Sequence, residues 1–500
     1  MTIEHEIKLT ADLAMVQPDF STVIPEIAVG IASHLQLDAV YYDTPTLSLA
    51  RAGVTLRSRT GESGPIWTLK LPTGRAAAGL SRSEYTFDEP LGPVPPAALR
   101  AARAYIRTQA FGPVLRLHTD RTEIPLEFDG RPLLTLCDDI VVADVPNQAT
   151  TTFREVELEL AGDDASPDAI DRLVKSLRDA GCRDDDPIPK ATRALGYRAL
   201  GPSDEYSVPV GKRSTAGAVV RHTIANSVTQ LLTHHAGIWL GDDHEDVHQF
   251  RVATRRLRSD LHTFGQLLDQ RRTAWLRDEL KWLGTEVGLA RDIDVLSERL
   301  HAQLDDLGPN HSRAVRALSH RLDENIAVAR QHVEACLSSE RYVALLDALV
   351  FSTHDESLEC TEFGDTLARD MFVELVRSPW RKLKKAADAL GPDSADTEFH
   401  AVRIRAKRAR YAAEAVAQVY GREVRRFARA VAEVQSVLGD HQDTAVAEEW
   451  LRRAAKEIPS TRLAVAELVT IERHDRFELR NKFKSVWKKA SRRELRKWMT

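Results

Sequence analysis

Near the start of the chain, Glu4, Glu6 and Lys8 alternate with Ile3, His5, Ile7 and Leu9 in IEHEIKL. If this segment is a strand, two carboxylates and an ammonium share one face and the apolar groups share the other. Such alternation ordinarily marks a strand with its polar face in water. The same period recurs, however, in TLRSRT (Arg57, Arg59), IWTLKLP (Lys70), SRSEY (Arg82, Glu84) and REVELEL (Glu155, Glu157, Glu159). Each segment also carries apolar alternates that need a core, so the charged faces are expected to line the inside of a closed or nearly closed barrel. Charge held there is costly unless neutralised. Lys8, Arg57, Arg59, Lys70 and Arg82 complement a chain of phosphates, whose oxygens guanidinium groups bind in pairs. Glu4, Glu6, Glu157 and Glu159 would repel that ligand unless a hard cation, Mg²⁺ or Mn²⁺, stood between them. His5 falls on the opposite face and has no role assigned to it.

A second set of cations follows a different period. In VHQFRVATRRLRS, His248, Arg251, Arg255 and Arg258 are spaced 3, 4 and 3 apart, one face of a helix, with Phe250, Leu257, Leu261 and Phe264 as the apolar stripe beside it. FHAVRIRAKRARY repeats the arrangement 152 residues later with His400, Arg403, Lys407 and Arg410. Each is followed by a segment containing Gly and Asp, GLARDIDV (Asp292, Asp294) and LGDHQDTAV (Asp440, Asp443). Basic helix faces are usually solvated or paired, but a stripe duplicated in register points to a polyanion, because like charges at these spacings repel. Few aromatics interleave with the cations and no nucleic-acid motif is present, so base reading is not expected. A phosphate polymer without bases fits better. The basic segments WRKLKKAADAL and FKSVWKKASRRELRKW are further candidates to extend that surface.

Two regions must position these groups. Residues 1–200 offer short strand-like runs separated by turns such as TGESGP, with helix expected only around 24–37 and 166–180. That pattern is α+β, many antiparallel strands with few helices. GPSDEYSVPVG, 201–211, reads as a linker. Residues 212–500 switch to long Ala-, Leu- and Arg-rich segments of helical period, expected to form two duplicated helical bundles at about 212–350 and 351–500. Charge divides the same way: residues 1–200 hold 21 Lys and Arg against 29 Asp and Glu, the rest 48 against 45. The balance of 43% hydrophobic and 29% charged residues argues against long disorder. No apolar run approaches the roughly 20 residues of a membrane span, and the N-terminus lacks a signal-peptide layout. The expected location is the cytoplasm, and polyphosphate granules are the expected place of association. Cys137, Cys182, Cys336 and Cys360 lack metal-site or disulfide spacing and are expected to be reduced structural thiols.

Residues 1–200 resemble the CYTH domain of the triphosphate tunnel metalloenzymes, with ExExK near the N-terminus followed in order by YYDTPTLSLARAGVTLRSR, WTLKLP, SRSEY, DRTEIPL, REVELEL and PKATRAL. The resemblance implies an eight-stranded antiparallel tunnel that binds a triphosphate and one or two Mg²⁺ or Mn²⁺ ions. It implies metal ligation by Glu4, Glu6, Glu157 and Glu159. It further implies phosphate contacts from Lys8, Arg57, Arg59, Lys70, Arg82, Arg121, Lys190 and Arg193. Glu155 and Asp138 are weaker candidates, and Leu134 stands where many relatives have Glu. No residue is singled out as the proton acceptor. Residues 212–500 resemble the CHAD domain, which implies polyphosphate binding through His248, Arg251, Arg255, Arg258, His400, Arg403, Lys407 and Arg410. The implied activity is metal-dependent hydrolysis of inorganic triphosphate or a related short polyphosphate, with the helical half holding longer polyphosphate. The other readings are a non-catalytic polyphosphate sensor, a nucleoside or thiamine triphosphatase, and an adenylate cyclase.

Overall fold

The computed structural model describes residues 2–61, 66–76, 79–161, 166–184, 188–241, 244–354, 362–391 and 393–499, without the side chains of 2–5, 23, 73–76, 79–81, 244 and 362–363. The chain divides into two compact units, 1–204 with 239–241, and 205–238 with 242–500.

In the first unit, β1 (Thr2–Ala11), β2 (Ile27–Val29), β3 (Ser33–Asp43), β4 (Thr55–Thr60), β5 (Ile66–Ala76), β6 (Gly79–Phe87), β7 (Gly112–Phe128), β8 (Arg131–Asp144) and β9 (Thr151–Leu160) form one antiparallel sheet. Its order is β2-β7-β3-β4-β5-β6-β1-β9-β8, and β8 pairs back onto β7. Eight strands therefore close into a ring, with β2 added where β3 leaves the edge of β7 free. Closure removes the unpaired edges of an open sheet.

Period two sorts the side chains as expected. Leu9, Leu134, Leu136, Val156 and Leu158 face outward into a core shared with Ala169, Leu173 and Leu177 of α4 (Pro167–Asp179). That helix begins with Pro in its first turn, where no N–H bond is lost, and its apolar stripe keeps the i, i+4 spacing. On another side Ala39, Leu115, Leu117 and Val141 pack with Ala191 and Leu195 of α5 (Lys190–Leu195). The short α1 (Phe20–Val23) and α2 (Ser48–Arg51) and the longer α3 (Pro96–Ile106) complete the unit. Asp43 anchors the end of β3 by accepting from the backbone N–H groups of Thr44, Leu49 and Ala50 at 2.6, 3.0 and 2.9 Å. At the end of β4, Gly61 has φ +108°, and a Cβ would fall 1.9 Å from the Gln36 carbonyl oxygen, so only glycine fits.

The helix expected at 24–37 does not form. Phe20–Val23 is helical, then Ile27–Val29 and Ser33–Asp43 pair with β7. Pairing along the 17-residue β7 outweighs the local helical pattern.

Residues 201–211 form no helix or strand. The second unit is helical: α6 (Ala216–Leu240), α7 (His244–Thr263), α8 (Gln270–Asp305), α9 (Ser312–Leu337), α10 (Glu340–Phe351), α11 (Ala368–Asp388), α12 (Asp396–Ala415), α13 (Ala417–Tyr420), α14 (Arg422–Glu457) and α15 (Arg462–Ala490). A 20-residue helix precedes a 36-residue one twice, α7–α8 and α12–α14, as the repeated sequence requires. Phe250, Leu257, Leu261 and Phe264 are all buried. Leu296, Leu300 and Leu304 of α8 share a core with Leu451 of α14 and Leu468 of α15. Cys137, Cys182 and Cys336 are buried and free, and Cys360 lies outside the described residues.

Candidate functional site

Inside the ring lies a cavity of about 240 Å³. Glu6, Lys8, Arg57, Arg59, Lys70, Arg82, Arg121, Glu157, Glu159 and Lys190 all line it, together with Tyr41, Glu84 and Glu123. Neighbouring strands supply them because register places their inward positions side by side: Glu6 opposes Glu159 and Lys8 opposes Glu157 across β1 and β9. Glu4 opposes Arg82 on β6, but its side chain and that of His5 lie outside the described residues. Arg193 is not part of the lining; its Nε donates to buried Glu155 at 2.6 Å.

The charges form two groups joined by Lys8, which pairs with Glu6 at 3.3 Å as well as with Glu157. Arg82 donates to Glu6 at 2.8 Å and Lys70 pairs with Glu84 at 2.9 Å. In the second, Glu157 is held by Lys8, by Lys190 at 2.5 Å and by Arg121 at 3.0 Å. Asp139, fully buried, accepts from Arg121 Nε and Nη2 at 2.8 and 2.9 Å and pairs with Lys190 at 2.8 Å. Burial alone would push these carboxyl groups up. The Lys190, Lys8 and Arg121 charges instead hold Glu157 well below the usual carboxylate range, and Lys190 with Arg121 lowers Asp139. Reciprocally, Lys8 and Lys190 are raised against the pull of burial by the carboxylates around them. Arg57 Nη1 donates to the Tyr41 hydroxyl at 3.3 Å; burial would raise that phenol, but the cations beside it, Arg57 foremost, bring it below its ordinary value.

Asp139 is the residue that sequence reasoning missed. Asp138 faces the other way, where Arg154 grips it at 2.6 and 2.8 Å. In LCDD the period alone does not choose between the two; the pairing of Asp139 with Glu155 does. Leu134 likewise packs in the outer core. For a divalent cation, the donor set that fits is Glu6 with Glu159, carboxylates directly opposed on one lining face. Glu157 is engaged by three cations, and among the described residues no cluster of three metal-ligating side chains is preformed.

In the helical unit the two stripes meet. Burial and then the charges of Arg255, Arg403, Arg251 and Arg258 push the Lys407 ammonium down to about 7, so α7 and α12 present one cationic field. Arg255 is lowered too, by burial first and then by Arg251 and Arg403 against an opposing contribution from Tyr411. The duplication is visible in detail. Arg251 lies over Gly288 of α8, where a Cβ would be 3.7 Å from its Nη2, and Arg403 lies over Gly439 of α14, 3.6 Å from its Nε. Arg251 pairs with Asp292 at 2.7 Å, and Arg403 acts on Asp443. Even so, the Nε groups of Arg251, Arg255 and Arg403 and the Nδ1 of His400 are buried with no hydrogen-bond partner among the described residues. His248 is half-buried, Arg258 is exposed, and Arg410 donates to Glu414 at 2.7 Å.

Comparison with known proteins matches a CYTH domain to residues 2–191 and a CHAD domain to 222–452. Two uncharacterized proteins from strains of Mycobacterium tuberculosis are each 32% identical over 470 residues, 91% of this chain and 89% of the relative. Among solved structures, PptA from Streptomyces chartreusis is 22% identical, covering 55% of this chain and 100% of its own, with a TM-score of 0.48. The CHAD domain from the plant Ricinus communis is 24% identical, covering 56% and 94%, with a TM-score of 0.47.

Proposed function

Because the chain belongs to the proteins in which a CYTH domain is followed by a CHAD domain, we propose that its tunnel hydrolyses inorganic triphosphate or a related short polyphosphate with a divalent metal, and that its helical unit binds longer polyphosphate. One observation carries the reading: a cavity ringed by Lys8, Arg57, Arg59, Lys70, Arg82 and Lys190, with carboxylates interleaved among them. Six such cations suit several phosphates in a row, and a single phosphate would leave most of them unused.

Arg57, Arg59, Lys70 and Arg82 hold the phosphoryl oxygens and absorb charge that develops on the leaving phosphate. Lys8 and Lys190 exchange part of their bonding from Glu157 to the ligand. The Tyr41 hydroxyl, already an acceptor for Arg57, keeps its own proton to donate into the cavity. Glu6 and Glu159 would hold Mg²⁺ or Mn²⁺, which when bound neutralises the phosphoryl oxygens and orients the attacking water. In the helical unit the partnerless Nε groups supply donors that a polyphosphate oxygen would satisfy.

Phosphate release from tripolyphosphate, ATP and thiamine triphosphate with Mg²⁺, Mn²⁺ or EDTA tests the tunnel. Metal-dependent release, greatest from tripolyphosphate, is expected; no release with either metal would refute hydrolysis. A sensor without catalysis has one observation in its favour, the engagement of Glu157 by three cations, and tripolyphosphate binding without turnover would establish it. Replacing Arg251, Arg255, Arg403 and Lys407 by Ala should weaken polyphosphate binding on the order of a hundredfold and leave triphosphate turnover unchanged.

A further inference from the structure

The stripe on α7 does not end at Arg258. His262 lies four residues on, so His248, Arg251, Arg255, Arg258 and His262 follow a 3, 4, 3, 4 spacing on one face. At 1.5 Å per residue the line runs about 21 Å, farther than a triphosphate reaches. Along it the side chains emerge from half-buried His248, Arg251 and Arg255 to exposed Arg258 and His262.

Three cations from three other helices surround its end. Burial first, and then the charges of Arg277 of α8, Arg408 of α12 and Lys382 of α11, lower the His262 imidazole. All three are exposed, and among the described residues none has a carboxylate partner. The duplication shows that this is not what the fold itself requires. Shifted by the repeat offset of 152 residues, Arg256 corresponds to Arg408 and His262 to Glu414. On one side the pair is neutralised, Arg256 to Glu414 at 3.6 Å. On the other a histidine replaces the acid and two more cations join it. Three cations drawn together around a histidine, without an acid, repel one another, and an anionic ligand would reverse that repulsion.

We propose that His262, Arg277, Lys382 and Arg408 form a second anion station, which holds the continuation of a polyphosphate chain as it leaves the paired stripes. This rests on the reading of those stripes as a polyphosphate site. A linear polyanion lying on α7 passes from the partnerless Nε groups of Arg251 and Arg255 to the station, displacing the Asp292 carboxylate that pairs with Arg251 at 2.7 Å.

The test measures affinity of the full chain for long-chain polyphosphate, without divalent metal, over a range of salt. Lys382→Ala/Arg408→Ala should weaken binding about tenfold and reduce the salt slope by between one and two units, as the loss of two phosphate contacts requires. Arg313→Ala/Arg316→Ala on α9 removes the same charge from another exposed surface and should change little. If the station variant binds as the parent does while Arg255→Ala/Arg403→Ala binds weakly, the station is wrong and the stripes stand. If neither matters, the stripe reading itself fails. Equal weakening by the α9 variant would mean that only net charge is read, and would also overturn the station.

Discussion

At position 407 the second repeat has a lysine where the first has Arg255, and the difference is chemical. Arginine stays charged, whereas the crowded Lys407 ammonium loses its proton near pH 7. A bound polyanion restores that proton, so polyphosphate binding above pH 7 should take up protons, and affinity should fall on going from pH 6 to 9. Calorimetry in buffers of different ionisation enthalpy would detect the uptake, and Lys407→Arg should abolish it. The free protein has the opposite dependence. Below about 7 Lys407 is charged in both folded and unfolded chains and its repulsion is fully felt, so stability should rise between 7 and its ordinary 10.5. In the tunnel, Arg121→Met would leave Asp139 and Glu157 short of a cation, and breaking such a buried pairing costs about 3–5 kcal/mol. Both carboxylates are lowered, so their contribution is present above the ordinary carboxylate pKa and lost as pH falls through their depressed values. Denaturant titration should show the loss at neutral pH, and the acid-unfolding midpoint should move upward.

Two helix-interior glycines, Gly288 and Gly439, lie beneath the stripe arginines. Added Cβ atoms at Gly288 and Gly439 would make only ordinary contacts with Arg251 and Arg403. Gly288→Ala/Gly439→Ala should therefore raise stability by about 1–2 kcal/mol in equilibrium denaturation through helix propensity, with polyphosphate affinity retained. Leucine at either site should instead displace the arginine and weaken binding. These contacts also mark the limit of what the sequence disclosed. Period two revealed the charged strand faces, and period 3.6 the stripes, because each pattern is local. Asp139 over Asp138, the pairing of Ser33–Asp43 with β7 and the merging of two stripes into one field all depend on partners distant in sequence. Ile24–Leu37 misled for the same reason: a helical pattern yielded to an edge that needed covering.

Each compact unit has an apolar core of its own, one outside the tunnel wall and one among α8, α14 and α15. Arg121→Met should accordingly lower a single thermal transition and leave the one reported by polyphosphate-protected helices in place, which scanning calorimetry with and without polyphosphate would show. The exchange of partners proposed at Glu157 would have a thermodynamic consequence for the molecule as a whole. A triphosphate that draws Lys8 and Lys190 to itself releases carboxylate charge beside Glu6 and Glu159, and a cation arriving there favours that release. The two ligands are then linked: each must tighten the other by the same factor. Metal affinity measured alone should be weak, and the ratio by which triphosphate improves it should equal the ratio by which metal improves triphosphate binding. On that proposal, the network of ion pairs inside the ring would act as an internal competitor that either ligand alone would displace only in part.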